Sequence, residues 1–308
     1  IKVVIKSHPE LSARVNGGFF SDPAAARAAA ASTPAANRPP QEQLRAVIAS
    51  VFHTNSLPMN LTINYMESAA GPRLTILMQV PLNESEESGG KEPAADIFGV
   101  VLDDKGNGVG SFGDHLTANN SNVSISANQR RSITYLNQVI LKPGLYQVRG
   151  AAQDSTTGMT GRVTRWIQVP DVSSGRLSLS SLLLGERDSG TTATTDLAKL
   201  PRAQLKVDNH FSRNSHLRVL TYLYNASTPG GPTPRIDVQL QLMRQNRVLV
   251  SSPSRRLEIV TREDFHEFPF AEELSLAQLA RGRYVLRVIA SDRLSKKSVS
   301  REAAFQVE

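Results

Sequence analysis

The stretch Leu141 to Val169, LKPGLYQVRGAAQDSTTGMTGRVTRWIQV, occurs a second time without a gap at Leu279 to Val307, LARGRYVLRVIASDRLSKKSVSREAAFQV. The copies share Leu141/Leu279, Gly144/Gly282, Tyr146/Tyr284, Arg149/Arg287, Ala152/Ala290, Asp154/Asp292, Gln168/Gln306 and Val169/Val307. Tyr284 lies 138 positions after Tyr146, a period that repeats a domain rather than a solenoid unit. Each copy reads as turn, strand, loop and closing strand. Tyr146, Val148, Gly150 and Ala152 fall on one face by period two, as do Tyr284, Leu286, Val288 and Ala290. A chain built from two such units is expected to be all-β, with two antiparallel sandwiches in tandem.

The Gly-x-Tyr at each strand entry is similar to the tyrosine corner of immunoglobulin-like domains, in which a Tyr near a strand start ties its hydroxyl back to the preceding corner. Tyr146 and Tyr284 are the structural corners in that reading. Val148 and Leu286 stand where such domains carry a disulfide cysteine. A Tyr at a strand end is also a good core filler in its own right, because its body is apolar and its tip polar. Either reading gives an immunoglobulin-like or fibronectin-like sandwich.

At 308 residues the length fits about two domains. Hydrophobic residues are 40% of the chain and aromatics 6%, so the cores must be built mainly from branched aliphatics. With no cysteine there is no disulfide framework, no thiolate metal site and no thiol nucleophile. The formal charge of +7 favours acidic surfaces, an acidic polysaccharide among them, without defining a site. No apolar run is long enough to cross a bilayer. The chain starts at Ile1 rather than Met and shows no signal peptide, so a processed product or part of a longer protein is expected.

In chain order, residues 1–21 form an N-terminal strand segment in which Ile1, Val3 and Ile5 alternate with Lys2, Val4 and Lys6. Residues 22–38 are an Ala/Pro-rich tether. Residues 39–170 hold a short helix and the first sandwich, and residues 175–308 the second. Pro40 suits the helix start, and Leu44, Val47, Ile48 and Val51 form its apolar stripe. The hairpin turn Asp104 to Gly108 has a counterpart around Asn246, so the duplication reaches the middle hairpin. Asn83 to Asp96 reads as an exposed acidic loop.

The run IKVVIKSHPELSARVNGGFF resembles a junction in bacterial, acidobacterial-type proteins with a von Willebrand factor type A-related domain. Arg14, Gly18, Phe19 and Phe20 carry the match, while Asn16 departs from it. The resemblance covers about twenty residues and implies that a type A domain precedes β-rich regions of this kind. The Asp-x-Ser-x-Ser metal motif of that domain is not in this sequence, so no metal site carries over.

Catalytic signals are weak. His8, His53, His115, His210, His216 and His266 lack the close spacing of a zinc helix, and there is no Gly-x-Ser-x-Gly elbow or phosphate-binding loop. Asp103, Asp104 and Asn107 match a calcium loop poorly. The basic residues Arg281, Arg283, Arg287, Arg293, Lys296, Lys297 and Arg301 read as outward charges that protect sheet edges; specific nucleic-acid binding would want aromatics between them. The expectation is a non-enzymatic structural or adhesive protein, secreted or on the bacterial cell surface, with no cofactor. It would act by self-association or contact with an upstream type A domain, with Ile1, Val3 and Ile5 completing a sheet in a neighbour to build an oligomer or filament. The alternative is a polysaccharide-binding accessory region of a larger enzyme. A row of exposed aromatics would mark it, and one Trp and six Tyr make such a row hard to assemble.

Overall fold

The computed structural model describes residues 39–50, 57–82, 94–117, 122–125, 131–188, 206–226, 234–257 and 267–308. Ile1, Val3, Ile5, the tether 22–38, Val51 and most of the acidic loop lie outside these residues. One helix, α1 (Pro40–Ala49), precedes eighteen strands among the described residues.

The first eight strands are β1 (Asn60–Met66), β2 (Arg73–Pro81), β3 (Ala94–Leu102), β4 (Gly108–Thr117), β5 (Asn122–Ile125), β6 (Arg131–Ile140), β7 (Gly144–Asp154) and β8 (Thr160–Val169). They form two antiparallel sheets, β1-β2-β6-β5 and β4-β3-β7-β8. Leu61, Ile76, Met78 and Ile133 of one sheet meet Ile97, Val101, Phe112 and Val148 of the other in a single core cluster. That is the sandwich solution to burying one face of each sheet.

The remaining strands are β9 (Ser178–Leu179), β10 (Leu183–Asp188), β11 (His210–Phe211), β12 (Ser215–Tyr224), β13 (Ile236–Arg244), β14 (Arg247–Ser251), β15 (Arg255–Arg256), β16 (Glu267–Ser275), β17 (Gly282–Asp292) and β18 (Lys297–Val307). Sheet β10-β12-β16, with β9 on β12, faces sheet β11-β18-β17-β13-β14, with β15 on β13. Leu184, Leu217, Val219 and Phe270 pack there against Phe211, Leu286, Val288 and Phe305. The orders β4-β3-β7-β8 and β14-β13-β17-β18 are the same, as are β1-β2-β6 and β10-β12-β16. Among the described residues only β11, paired with β18, runs parallel to its neighbour. Pro269 sits in β16, an edge strand, where a missing N–H costs no ladder bond.

The repeat is visible atom by atom. The Tyr146 hydroxyl donates to the Lys142 carbonyl at 2.8 Å, and the Tyr284 hydroxyl to the Ala280 carbonyl at 2.7 Å, each four residues back. Asp154 and Asp292 are both buried at the far ends of these strands. The Asp154 carboxylate accepts the N–H groups of Thr156 and Thr157, and that of Asp292 accepts those of Leu294 and Ser295. Each therefore folds the turn into the closing strand. The middle hairpins also match, because β4 carries a bulge at Val109 between Leu102 and Val101, and β14 one at Leu249 between Met243 and Leu242.

Helix α1 lies on the outer face of the β3/β7 sheet. Leu44 and Ile48 pack with Phe98 and Ala151, flanked by Val47 and Val100, and the Arg45 guanidinium stands 5.0 Å over the Phe98 ring. Pro40 is the first helical residue, where its missing N–H is no loss. The helix explains why Ala151, which points away from the sandwich core, is as buried as its neighbours.

Candidate functional site

The two sandwiches meet along β1. The Tyr65 N–H donates to Ser181 Oγ at 2.9 Å, and the Ser181 N–H donates to the Tyr65 carbonyl at 3.0 Å. Thr62 Oγ1 donates to the Val207 carbonyl at 2.6 Å. The Glu67 N–H donates to the Tyr224 hydroxyl at 3.0 Å, while the Tyr65 hydroxyl donates to Glu67 Oε2 at 2.9 Å. Tyr224 comes from β12 yet packs into the first core, its ring 6.5 Å from that of Tyr65. Burial raises the pKa of both tyrosines well above the usual value. Asn225, with φ of 57°, donates to the Val172 and Arg176 carbonyls and holds the connecting segment.

Beside this junction opens a cleft of about 410 Å³. Its walls are the outer edges of β8, at Arg165 to Gln168, and of β18, at Arg301 to Ala304. Among the described residues both strands pair on one side only at these positions, β8 with β7 and β18 with β17. Asn64 and Leu61 of β1 line the floor, and Lys206 and Asn209 one end. Trp166, the only Trp of the chain, is 56% exposed.

The cleft is cationic. Its lining carboxylate, Glu302, is held by Arg287, whose Nε donates at 2.7 Å, and Lys206 is paired with Glu186. Arg301 donates its Nε to the Leu179 carbonyl at 3.1 Å, and Arg165 donates to the Thr164 carbonyl at 3.0 Å. Neither arginine has a carboxylate partner among the described residues. Burial lowers the pKa of Arg301, as expected of a cation taken out of water without an anion beside it. Arg301 thus departs from the sequence expectation of an outward charge: it stands on the β18 edge but is half-buried and lines the cleft. Arg287 and Arg293, by contrast, pair with Glu302 and Asp237.

A second surface is the outer edge of the β14 sheet. Val248, Leu249 and Val250 are 49%, 51% and 59% exposed, with Arg247 at one end and β15, Arg255–Arg256, beyond the other. The equivalent edge of the first sandwich is β4, where Val109 is also exposed. Its surroundings are acidic, with Asp103 and Asp104 before it and Asp114 within it. The Asp103 carboxylate accepts the Lys105 and Asn107 N–H groups and the Asn107 side chain, and the bond to that side chain leads in lowering its pKa. Those bonds give this aspartate a turn-forming role. His210 bonds Glu308 at 2.7 Å, whereas His216 lies in β12 with its buried Nδ1 making no hydrogen bond among the described residues, so the two histidines flanking one turn do not converge on a shared partner. Among the described residues no three His, Cys, Asp or Glu side chains are grouped to hold a metal.

No family model matches the chain, and no curated protein does. Among solved structures it is similar to β-glucuronidases of Bacteroides uniformis. One, β-glucuronidase 2 covalently bound to cyclophellitol-6-carboxylate aziridine, is 10% identical with a TM-score of 0.25, over 75% of this chain and 26% of that one. A second β-glucuronidase structure is 11% identical and a calcium-binding mutant 9% identical, at the same TM-score and coverage. The chain thus spans about a quarter of the length of those enzymes, and a likeness this distant assigns it neither substrate nor activity.

Proposed function

We propose that this is a non-enzymatic structural or adhesive protein of the bacterial envelope or extracellular space that works by protein–protein assembly. The observation that carries the reading is the β14 edge, where three consecutive large aliphatic side chains stand about half exposed on an open strand. Open edges of this kind template pairing with another chain. The partner chemistry that suits it is the acidic β4 edge of a second copy, since β14 is flanked by Arg247, Arg255 and Arg256 and β4 by Asp103, Asp104 and Asp114. A β4-to-β14 contact is head-to-tail and propagates into a filament if it does not close. The Ile1 to Lys6 segment is a further candidate donor strand, and its lysines match β4 better than β14. The resemblance to type A-related proteins makes an upstream type A domain another partner under the same proposal. Among the described residues no helix is long and apolar enough to cross a membrane.

Covering three half-exposed aliphatic side chains contributes roughly 3 kcal/mol, and the bulge at Leu249 interrupts the ladder. Association is therefore expected to be weak per contact and concentration-dependent. Sedimentation velocity across a concentration series tests it. The intact protein forms oligomers that grow with concentration and shrink with added salt, and Val248→Glu/Val250→Glu stays monomeric throughout. A wild-type protein that remains monomeric at its solubility limit rejects the proposal, and deletion of residues 1–20 without effect removes the N-terminal strand from it.

A further inference from the structure

We propose that the cleft between the two sandwiches binds an anionic sugar chain, with the Trp166 indole as the platform for a pyranose ring and Arg165 and Arg301 as the partners of its carboxylate or sulfate. The inference goes beyond assembly and uses none of the residues of the β4 and β14 edges.

Three observations converge on it. Trp166 leaves over half its surface in water on a free strand edge, whereas Phe112, Phe211, Phe270 and Phe305 are all core. An indole face is flat, apolar and electron-rich, which fits the C–H face of a sugar and leaves the hydroxyl rim free for polar groups. The second observation is unmatched charge. Glu302 and Lys206 are already paired, so the two arginines supply the cleft's uncompensated charge. A half-buried guanidinium gains most from an oxyanion that it can bind in a planar fork. Thirdly, the buried Asn64 side chain lines the floor with no hydrogen-bond partner among the described residues, so its amide is available to a hydroxyl. The volume, about 410 Å³, falls in the range of small-ligand sites.

Single-stranded nucleic acid fits less well, because it needs successive stacking aromatics and this cleft offers one. An acidic peptide satisfies the arginines but has no ring for the indole. The requirement for both charge and a flat sugar face is what the site predicts, and it differs from the row of aromatics expected of a neutral-polysaccharide surface.

Because Trp166 is the sole Trp, its fluorescence reports on the cleft alone. The full chain would be titrated with hexagalacturonate, a heparin-derived hexasaccharide, maltohexaose and hexaglutamate, with calorimetry in parallel. The expected result is saturable change in emission with one or both anionic sugars, the tighter of the two identifying carboxylate or sulfate as the preferred group. Maltohexaose and hexaglutamate bind at least about tenfold more weakly, and Arg165→Gln and Trp166→Ala each weaken the anionic sugar about tenfold by calorimetry. Arg301→Gln has the same effect if it folds, but the exposed Arg165 keeps the test decisive without it. Equal binding of maltohexaose or hexaglutamate, no binding of either anionic sugar, or an unchanged affinity in Arg165→Gln overturns the proposal.

Discussion

Glu273 shows how a single side chain can set acid stability. It lies in β16 directly opposite Arg218 of β12, and its carboxylate bonds both Arg218 Nε at 3.0 Å and the Arg187 guanidinium. Arg187 and then Arg218 hold its pKa down at about 2, against the opposing effect of burial. A carboxyl whose folded pKa is depressed stabilises the fold above its unfolded pKa, and that stability is lost as pH falls toward the folded value. The unfolded value is the ordinary 4.5. Stability should therefore decline between about pH 4.5 and 2. Glu273→Gln should cost on the order of 3 kcal/mol at neutral pH, since it removes the carboxylate charge from beside the 3%-exposed Arg218, and should flatten the acid limb. Urea unfolding at pH 7, 4 and 3 checks both. At this scale the sequence was partly legible. The corner tyrosines stood out through the repeat, and so did Asp154 and Asp292, but the role of the aspartates in bonding the turn N–H groups needed coordinates. Trp166 gave no signal beyond its identity and Arg301 read as an outward charge, because which strand edge faces a cleft depends on how the two sandwiches dock.

At the scale of elements, alternation made the long strands readable. β17 buries Tyr284, Leu286, Val288 and Ala290 and half-exposes the residues between them, as a sheet with one face on the core must. β7 departs from that pattern at Ala151 because α1 covers the second face, a contact that strand periodicity cannot encode. β16 was harder to read, since AEELS lacks the β-branched and aromatic content of a strand and is held by its pairing with β12. The apolar stripe of α1 did announce its docking. A ten-residue helix is too short to persist alone, so its packing face should dominate its stability. Leu44→Ala, at a fully buried position, is expected to cost about 3 kcal/mol and to release the protection of α1 amides in hydrogen exchange, whereas Glu42→Ala on the exposed side leaves both nearly unchanged.

For the whole molecule, what matters is whether the two cores behave as one unit. The linker is short, and the contacts around it are specific: Tyr65 donates its N–H to the Ser181 hydroxyl and accepts the Ser181 N–H at its carbonyl, and Tyr224 is placed in the core of the sandwich to which it does not belong by sequence. These ties fix the relative position of β8 and β18, and so the shape of the cleft. They also make the junction sensitive to alkali. Burial is the first cause of the raised pKa of Tyr65 and Tyr224, reinforced at Tyr65 by its bond to Glu67. Below the ordinary tyrosine pKa of 10.0 both residues are neutral in folded and unfolded chains, and their contribution is fully present. Above it the unfolded chain ionises while the folded one resists, so stability falls as pH rises. The double variant Tyr65→Phe/Tyr224→Phe should lose about 2 kcal/mol at pH 7 through its missing hydrogen bonds, yet should show a shallower decline from pH 9 to 11 than the wild type. Urea titrations of both proteins across that range decide the matter: parallel slopes would mean that the junction tyrosines do not govern alkaline unfolding. If they do, cleft binding should also fall over the same interval, because the walls that carry Arg165 and Arg301 are positioned by the junction that is coming apart.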